Sequence, residues 1–107
     1  KLEKISRSLT GLKGSETMKL NEYGHVSESV HGSVGITATC TIEGDGLEIV
    51  ETNFEYKDKS KSNMSGGDAG YKTFYIKAIK KGNYKVIVKK FFRGEPMSQY
   101  EFKVEVL

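Results

Sequence analysis

Cys40, together with His25 and His31, is the one combination in this 107-residue sequence that suggests a thiol nucleophile and its base. Such a pair must meet within hydrogen-bond reach. Cys40 falls on the apolar side of a strongly alternating stretch, where cysteine behaves as a small core hydrophobe, so an enzyme is not expected. One cysteine and two histidines, none at ligand spacing, fall short of the four ligands of a structural zinc site. Glu43-Gly44-Asp45-Gly46 lacks the run of alternating oxygen ligands that a calcium loop uses and reads as a plain turn. No metal and no cofactor is expected.

Lysines 77, 80, 81, 85, 89 and 90 with Arg93, beside Phe91 and Phe92, could form a basic stripe with stacking platforms for nucleic acid. Strand lysines more commonly form a solvated face that blocks edge-to-edge association. The net charge of +3, from 17 basic and 14 acidic residues, does not demand a polyanionic partner. The glycines at 66, 67 and 70 resemble a phosphate cradle, but a cradle requires a helix start immediately after it, and a strand pattern follows here. Three glycine-bearing segments remain: His31 to Gly35, Met64 to Gly70, and Phe92 to Met97. Small residues let a loop backbone approach another surface closely, and rigid strands hold such loops in place.

The elements that must position these segments are extended. Tyr100, Phe102, Val104 and Val106 alternate with charged residues, and Tyr84, Val86 and Val88 do the same. Arg93 to Ser98, with the only proline, reads as the hairpin loop between these two strands. Tyr71 to Ile79 places Phe74, Ile76 and Ala78 on one face and is expected to form a hairpin with the strand after Gly82. Ile36 to Ile42 alternates with threonines, Leu47 to Tyr56 adds a further strand, and Thr17 to Leu20 and His25 to Val30 are weaker candidates. Residues 57–67, KDKSKSNMSGG, are polar and glycine-rich and read as a long mobile loop.

Twelve glycines, one proline and no run at helical spacing predict a single all-β domain over residues 1–107. The expected architecture is an immunoglobulin-like antiparallel β-sandwich of about seven strands, in a monomer. No apolar stretch approaches the roughly 20 residues of a membrane span. The absence of an initiator methionine fits removal of an upstream segment, and a secreted or cell-surface location is the expectation.

The order of these features resembles the chagasin-like inhibitors of papain-family cysteine proteases, an immunoglobulin-type sandwich with three inhibitory loops. The likeness runs from about Asn21 to Val106 and is strongest in Gly67-Asp68-Ala69-Gly70 followed by YKTFYIKAIKKGNYKVIV. The family's first loop carries Asn-Pro-Thr-Thr-Gly; in register stands His31-Gly32-Ser33-Val34-Gly35, which keeps the last glycine. Its third loop carries Arg-Pro-Trp; near that place stands Phe91-Phe92-Arg93-Gly94, and the chain has no tryptophan. The resemblance implies occlusion of a protease cleft, with His31 to Gly35 over the enzyme's catalytic cysteine and Gly67 to Gly70 and Phe91 to Gly94 on either side. The implied partner is therefore a papain-family cysteine protease. A bacterial immunoglobulin-like structural or adhesive module of a surface protein shows much the same strand pattern and is the alternative.

Overall fold

The computed structural model describes residues 5–9, 14–56 and 69–107. Among them are eight strands: β1 (Ser6–Ser8), β2 (Ser15–Met18), β3 (Tyr23–His31), β4 (Ile36–Glu43), β5 (Leu47–Tyr56), β6 (Ala69–Ala78), β7 (Gly82–Phe92) and β8 (Glu95–Val106), with a 3-10 turn at Gly32–Val34. Hydrogen bonding runs in the order β2-β8-β7-β4-β3-β6-β5, with β1 attached to β3. The step from β4 to β3 is the single backbone pair His31–Ile36. There the ladder folds over, so β2-β8-β7-β4 forms one layer and β5-β6-β3 with β1 forms the other.

Period-two patterning decides what lies between the layers. Val86 and Val88 of β7 and Phe102, Val104 and Val106 of β8 meet Val26, Ile76 and Ala78 of the opposite layer in one buried cluster, joined by Met18 and Leu47. Each such side chain contributes roughly 1.5–3 kcal/mol on full burial. The cluster makes the molecule the β-sandwich that the alternation predicts. The strands number eight, and the short pairs β1–β3 and β2–β8 are parallel in an otherwise antiparallel structure.

Two expectations are corrected by the register. Strands β6 and β7 do not form a hairpin: β6 lies between β3 and β5, β7 lies between β4 and β8, and the segment joining them crosses from one layer to the other. The β7–β8 turn is only Arg93-Gly94, both at positive φ (52° and 85°), which matches the twist of the flanking strands in a two-residue hairpin. Pro96 therefore lies in β8, beside the register shift at Lys90/Phe91. Residues 57–67, read as a long loop, lie outside the described residues.

The crossing from β6 to β7 explains the glycines at this end. Gly46 accepts the Ile79 N–H (2.8 Å), tying the β4–β5 turn to the crossing, and the Tyr84 hydroxyl donates to the Lys81 carbonyl (2.9 Å). The Tyr84 ring fills the space where side chains at Gly44, Gly46 and Gly82 would otherwise lie. At the N-terminus, Arg7 reaches Glu16 and Glu22 (both 3.1 Å) and donates to the Thr17 carbonyl, binding β1 to its neighbours. Leu9 packs into the core over Gly24. Gly46→Ala forces the Tyr84 ring out of its place, and overpacking of this kind costs about 1–3 kcal/mol; urea unfolding monitored by tyrosine fluorescence is expected to show the midpoint falling accordingly.

Candidate functional site

Five strand ends meet at the end of the sandwich opposite Tyr84. A continuous row of backbone pairs runs Ala69–His31–Ile36–Phe92–Glu95, from β6 through β3, β4 and β7 to β8. Backbone donors and acceptors must be paired when removed from water, so this row locks the strand ends into one ridge.

The first segment, His31 to Gly35, is a tight turn on the ridge. Gly32–Val34 form the 3-10 turn, and Gly35, at φ 85°, closes it by donating its N–H to the Gly32 carbonyl (3.0 Å). The Gly35 carbonyl then accepts the Arg93 N–H (2.8 Å), joining the first segment to the third. A Cβ at Gly35 would lie 2.9 Å from Arg93 Cγ, so both the left-handed backbone and the approach of Arg93 require glycine. The Arg93 guanidinium lies 5.2 Å from the centre of the Phe92 ring, within cation–π range.

The second segment differs from expectation. Ala69 and Gly70 are the first residues of β6, paired with His31 and Val30, and not part of a loop. Gly70 is buried against the Glu55 carbonyl and the Phe54 ring, so its lack of a side chain serves packing inside the layer. Gly67 and Asp68 lie outside the described residues. On the ridge itself Val34, Phe92 and Met97 are 37%, 43% and 53% exposed, and Ile36 and Phe91 are half-buried. A cleft of about 270 Å³ opens beside them, between His31, Ile36, Ala69, Lys90 and Met97. Met97 closes the third glycine-bearing segment, beyond Phe91 to Gly94, the part that the resemblance places against a partner.

The chemical candidates do not assemble. Cys40 is half-buried on the inner face of β4, and burial pushes its thiol up to about 11, the opposite of an activated nucleophile. His25 lies in the other layer, bonded to the Ser6 hydroxyl (2.7 Å) with its ring beside Tyr75. His31 sits on the ridge. Among the described residues no three His, Cys, Asp or Glu side chains are grouped to hold a metal.

The lysines are dispersed as well. Lys77, in β6, lies 5.6 Å from the centre of the Tyr23 ring, whereas Lys85, in the opposite layer, pairs with Glu101 (3.4 Å). Lys80 pairs with Asp45 at the far end (3.2 Å) and Lys90 bonds Ser29 between the layers (3.1 Å). No single basic stripe results.

The geometry is that of a loop-presenting immunoglobulin-type sandwich. No family model and no curated protein matches the chain, but solved structures do. It is similar to the cysteine protease inhibitor EhICP2 from Entamoeba histolytica (TM-score 0.72, 14% identity, 98% of this chain and 91% of that one). It is also similar to amebosin (TM-score 0.61, 16% identity, 94% and 93%) and to PbICP-C, solved in complex with falcipain-2 (TM-score 0.54, 11% identity, 94% and 96%). The chain therefore has the fold of the chagasin-like inhibitors that its sequence resembles. Among the described residues no helix is long and apolar enough to cross a membrane.

The raised Cys40 pKa has a direct readout. At pH 8 the native thiol is expected to react with an aromatic disulfide reagent far more slowly than the unfolded chain does, because so little thiolate is present; stopped-flow absorbance with and without denaturant checks this.

Proposed function

We propose that this protein is a reversible inhibitor of papain-family cysteine proteases that works by occluding the active-site cleft. The observation that carries the reading is the backbone-paired ridge: the first and third segments, which the family resemblance assigns to the cleft, form one preorganised surface with Val34, Phe92 and Met97 exposed along it. These exposed apolar side chains give that surface area of the kind an interface buries. Arg93 stacked on Phe92 supplies the residue types that anchor interfaces. The neighbour EhICP2 is described as a cysteine protease inhibitor, and PbICP-C was solved with falcipain-2.

Occlusion needs no chemistry from the inhibitor. The turn at Gly32–Val34 doubles back on itself, closed by the Gly35 N–H. Such a turn covers the enzyme's nucleophile without laying an extended peptide across it, so the inhibitor stays uncut. Preorganisation lowers the ordering cost of docking.

Titration of papain and a cathepsin L-type enzyme with the intact protein, following hydrolysis of a small peptide substrate, is expected to give reversible loss of activity with the inhibitor recovered uncut. Full activity at micromolar inhibitor overturns the reading. The double variant Val34→Asp, Phe92→Ala is expected to raise the inhibition constant by about a hundredfold, as for removal of two interface anchors, with only a small fall in the thermal midpoint because neither side chain belongs to the buried cluster.

A further inference from the structure

Between the main apolar cluster and the ridge the inner faces become mixed, with buried Val30 and Ala38 beside charged and phenolic side chains. Moving along the inner faces from Val26, Phe74, Val88 and Phe102, the next inward positions are Glu28 on β3, Lys72 on β6, Lys90 on β7 and Tyr100 on β8. Lys72 turns its Nζ to the Ala38 carbonyl (3.0 Å), and Glu28, Lys90 and Tyr100 meet across the sandwich. The Tyr100 hydroxyl donates to Glu28 Oε2 (2.7 Å), and Lys90 Nζ donates to the Ser29 hydroxyl (3.1 Å) and lies 4.0 Å from Glu28 Oε1. The Glu28 and Lys90 side chains are only 16% and 19% exposed. Burial, with the hydrogen bond to Glu28 behind it, holds the Tyr100 phenol above its ordinary pKa.

Half-buried charges are a poor way to gain stability, since an apolar filling of the same volume is commonly as stable or more so. What they do provide is directionality: hydrogen bonds fix the separation and angle of the groups they join, whereas apolar contact does not. The three residues stand directly beneath the ridge. Glu28 precedes His31 by three positions on the same strand, Lys90 precedes Phe92 by two, and Tyr100 pairs with Val88 on the hairpin that carries Arg93.

We infer that Glu28, Lys90 and Tyr100 are positioning residues for the docking ridge, a polar strut that sets how far the β7–β8 hairpin stands from the first turn and so how well the two enter one protease cleft. The inference rests on the inhibitor reading for its consequence in binding. Its structural half, the coupling of the strut to the ridge, is measurable without any protease.

The test compares wild type, Tyr100→Phe, Glu28→Gln and a core control, Val104→Ala, by native-state hydrogen exchange and by inhibition of papain. Tyr100→Phe removes one hydroxyl and keeps the ring, and Glu28→Gln keeps the shape and removes the charge. The Arg93 N–H, bonded to Gly35 at the ridge, reports on the site, and the Leu107 N–H, bonded to Met18, reports on the opposite end. The strut predicts that both strut variants speed Arg93 exchange about tenfold, as the loss of one charge-assisted bond does, leave Leu107 unchanged, and raise the inhibition constant by a similar factor. Val104→Ala is expected to lower the thermal midpoint more than either, yet to leave the inhibition constant alone. Unchanged Arg93 exchange in both strut variants overturns the inference, as does a rise in inhibition constant that follows thermal stability across all four proteins. If wild type fails to inhibit papain, the inhibitor reading falls on that result alone, and the exchange rates still decide whether the strut positions the ridge.

Discussion

One backbone pair, His31 with Ile36, holds this molecule's two layers to a common edge, and the geometry of the ridge depends on it. The chain leaves β3, turns through four residues and enters β4 in the other layer, so the two strands diverge from the point where they touch. That constraint brings β6, by its pairing with β3, and β7 and β8, by their pairing with β4, to the same end. The ridge is therefore a product of main-chain hydrogen bonding. Its backbone course is set by groups that every residue carries, and side chains such as Val34 and Met97 stand exposed along it.

The two ends of the sandwich are held by different physics. Away from the ridge, cohesion comes from apolar burial and from one tyrosine ring seated among three glycines, with the β4–β5 turn bonded to the β6–β7 crossing. Toward the ridge, the same inner faces carry carboxylate, ammonium and phenol groups. Apolar contact is non-directional and tolerates small shifts; hydrogen bonds are not and do not. The first kind of cohesion keeps an end folded, and the second also fixes the separation of the groups it joins.

Much of this was legible from residue types. Strands β7 and β8 are readable because their inner positions are large and apolar while most outer positions are charged, and β6 because Phe74, Ile76 and Ala78 recur at period two. Strand β1, Ser6–Ser8, offers no such contrast: it is held by Arg7 and by Leu9 beyond its end, and neither contact has a local signature. The crossing from β6 to β7 reads as a hairpin because Lys80 to Asn83 has hairpin-turn composition, yet its glycine serves the Tyr84 ring. Pro96 suggests a loop because proline breaks a ladder. Here β2 pairs with residues 103–106 of β8, so among the described residues Pro96 sits where β8 has no second neighbour and the register already shifts, the setting in which a strand accepts proline.

The first segment shows why a degenerate motif and a kept geometry belong together. Of the Asn-Pro-Thr-Thr-Gly pattern that the family resemblance brings to His31–Gly35, only the final glycine survives, and it is the position where the backbone leaves no choice. Gly35 adopts φ 85°, donates to Gly32 to close the turn, accepts from Arg93 to join the ridge, and has no room for a Cβ. A left-handed φ and a sub-van-der-Waals approach together exclude every other residue type without local rearrangement. The preceding positions carry no comparable demand: Gly32 is an exposed turn residue and Val34 presents its side chain outward. Where recognition rests on a turn held in place by its own backbone, the residues at the tip can change with the partner, while the residue that holds the turn cannot.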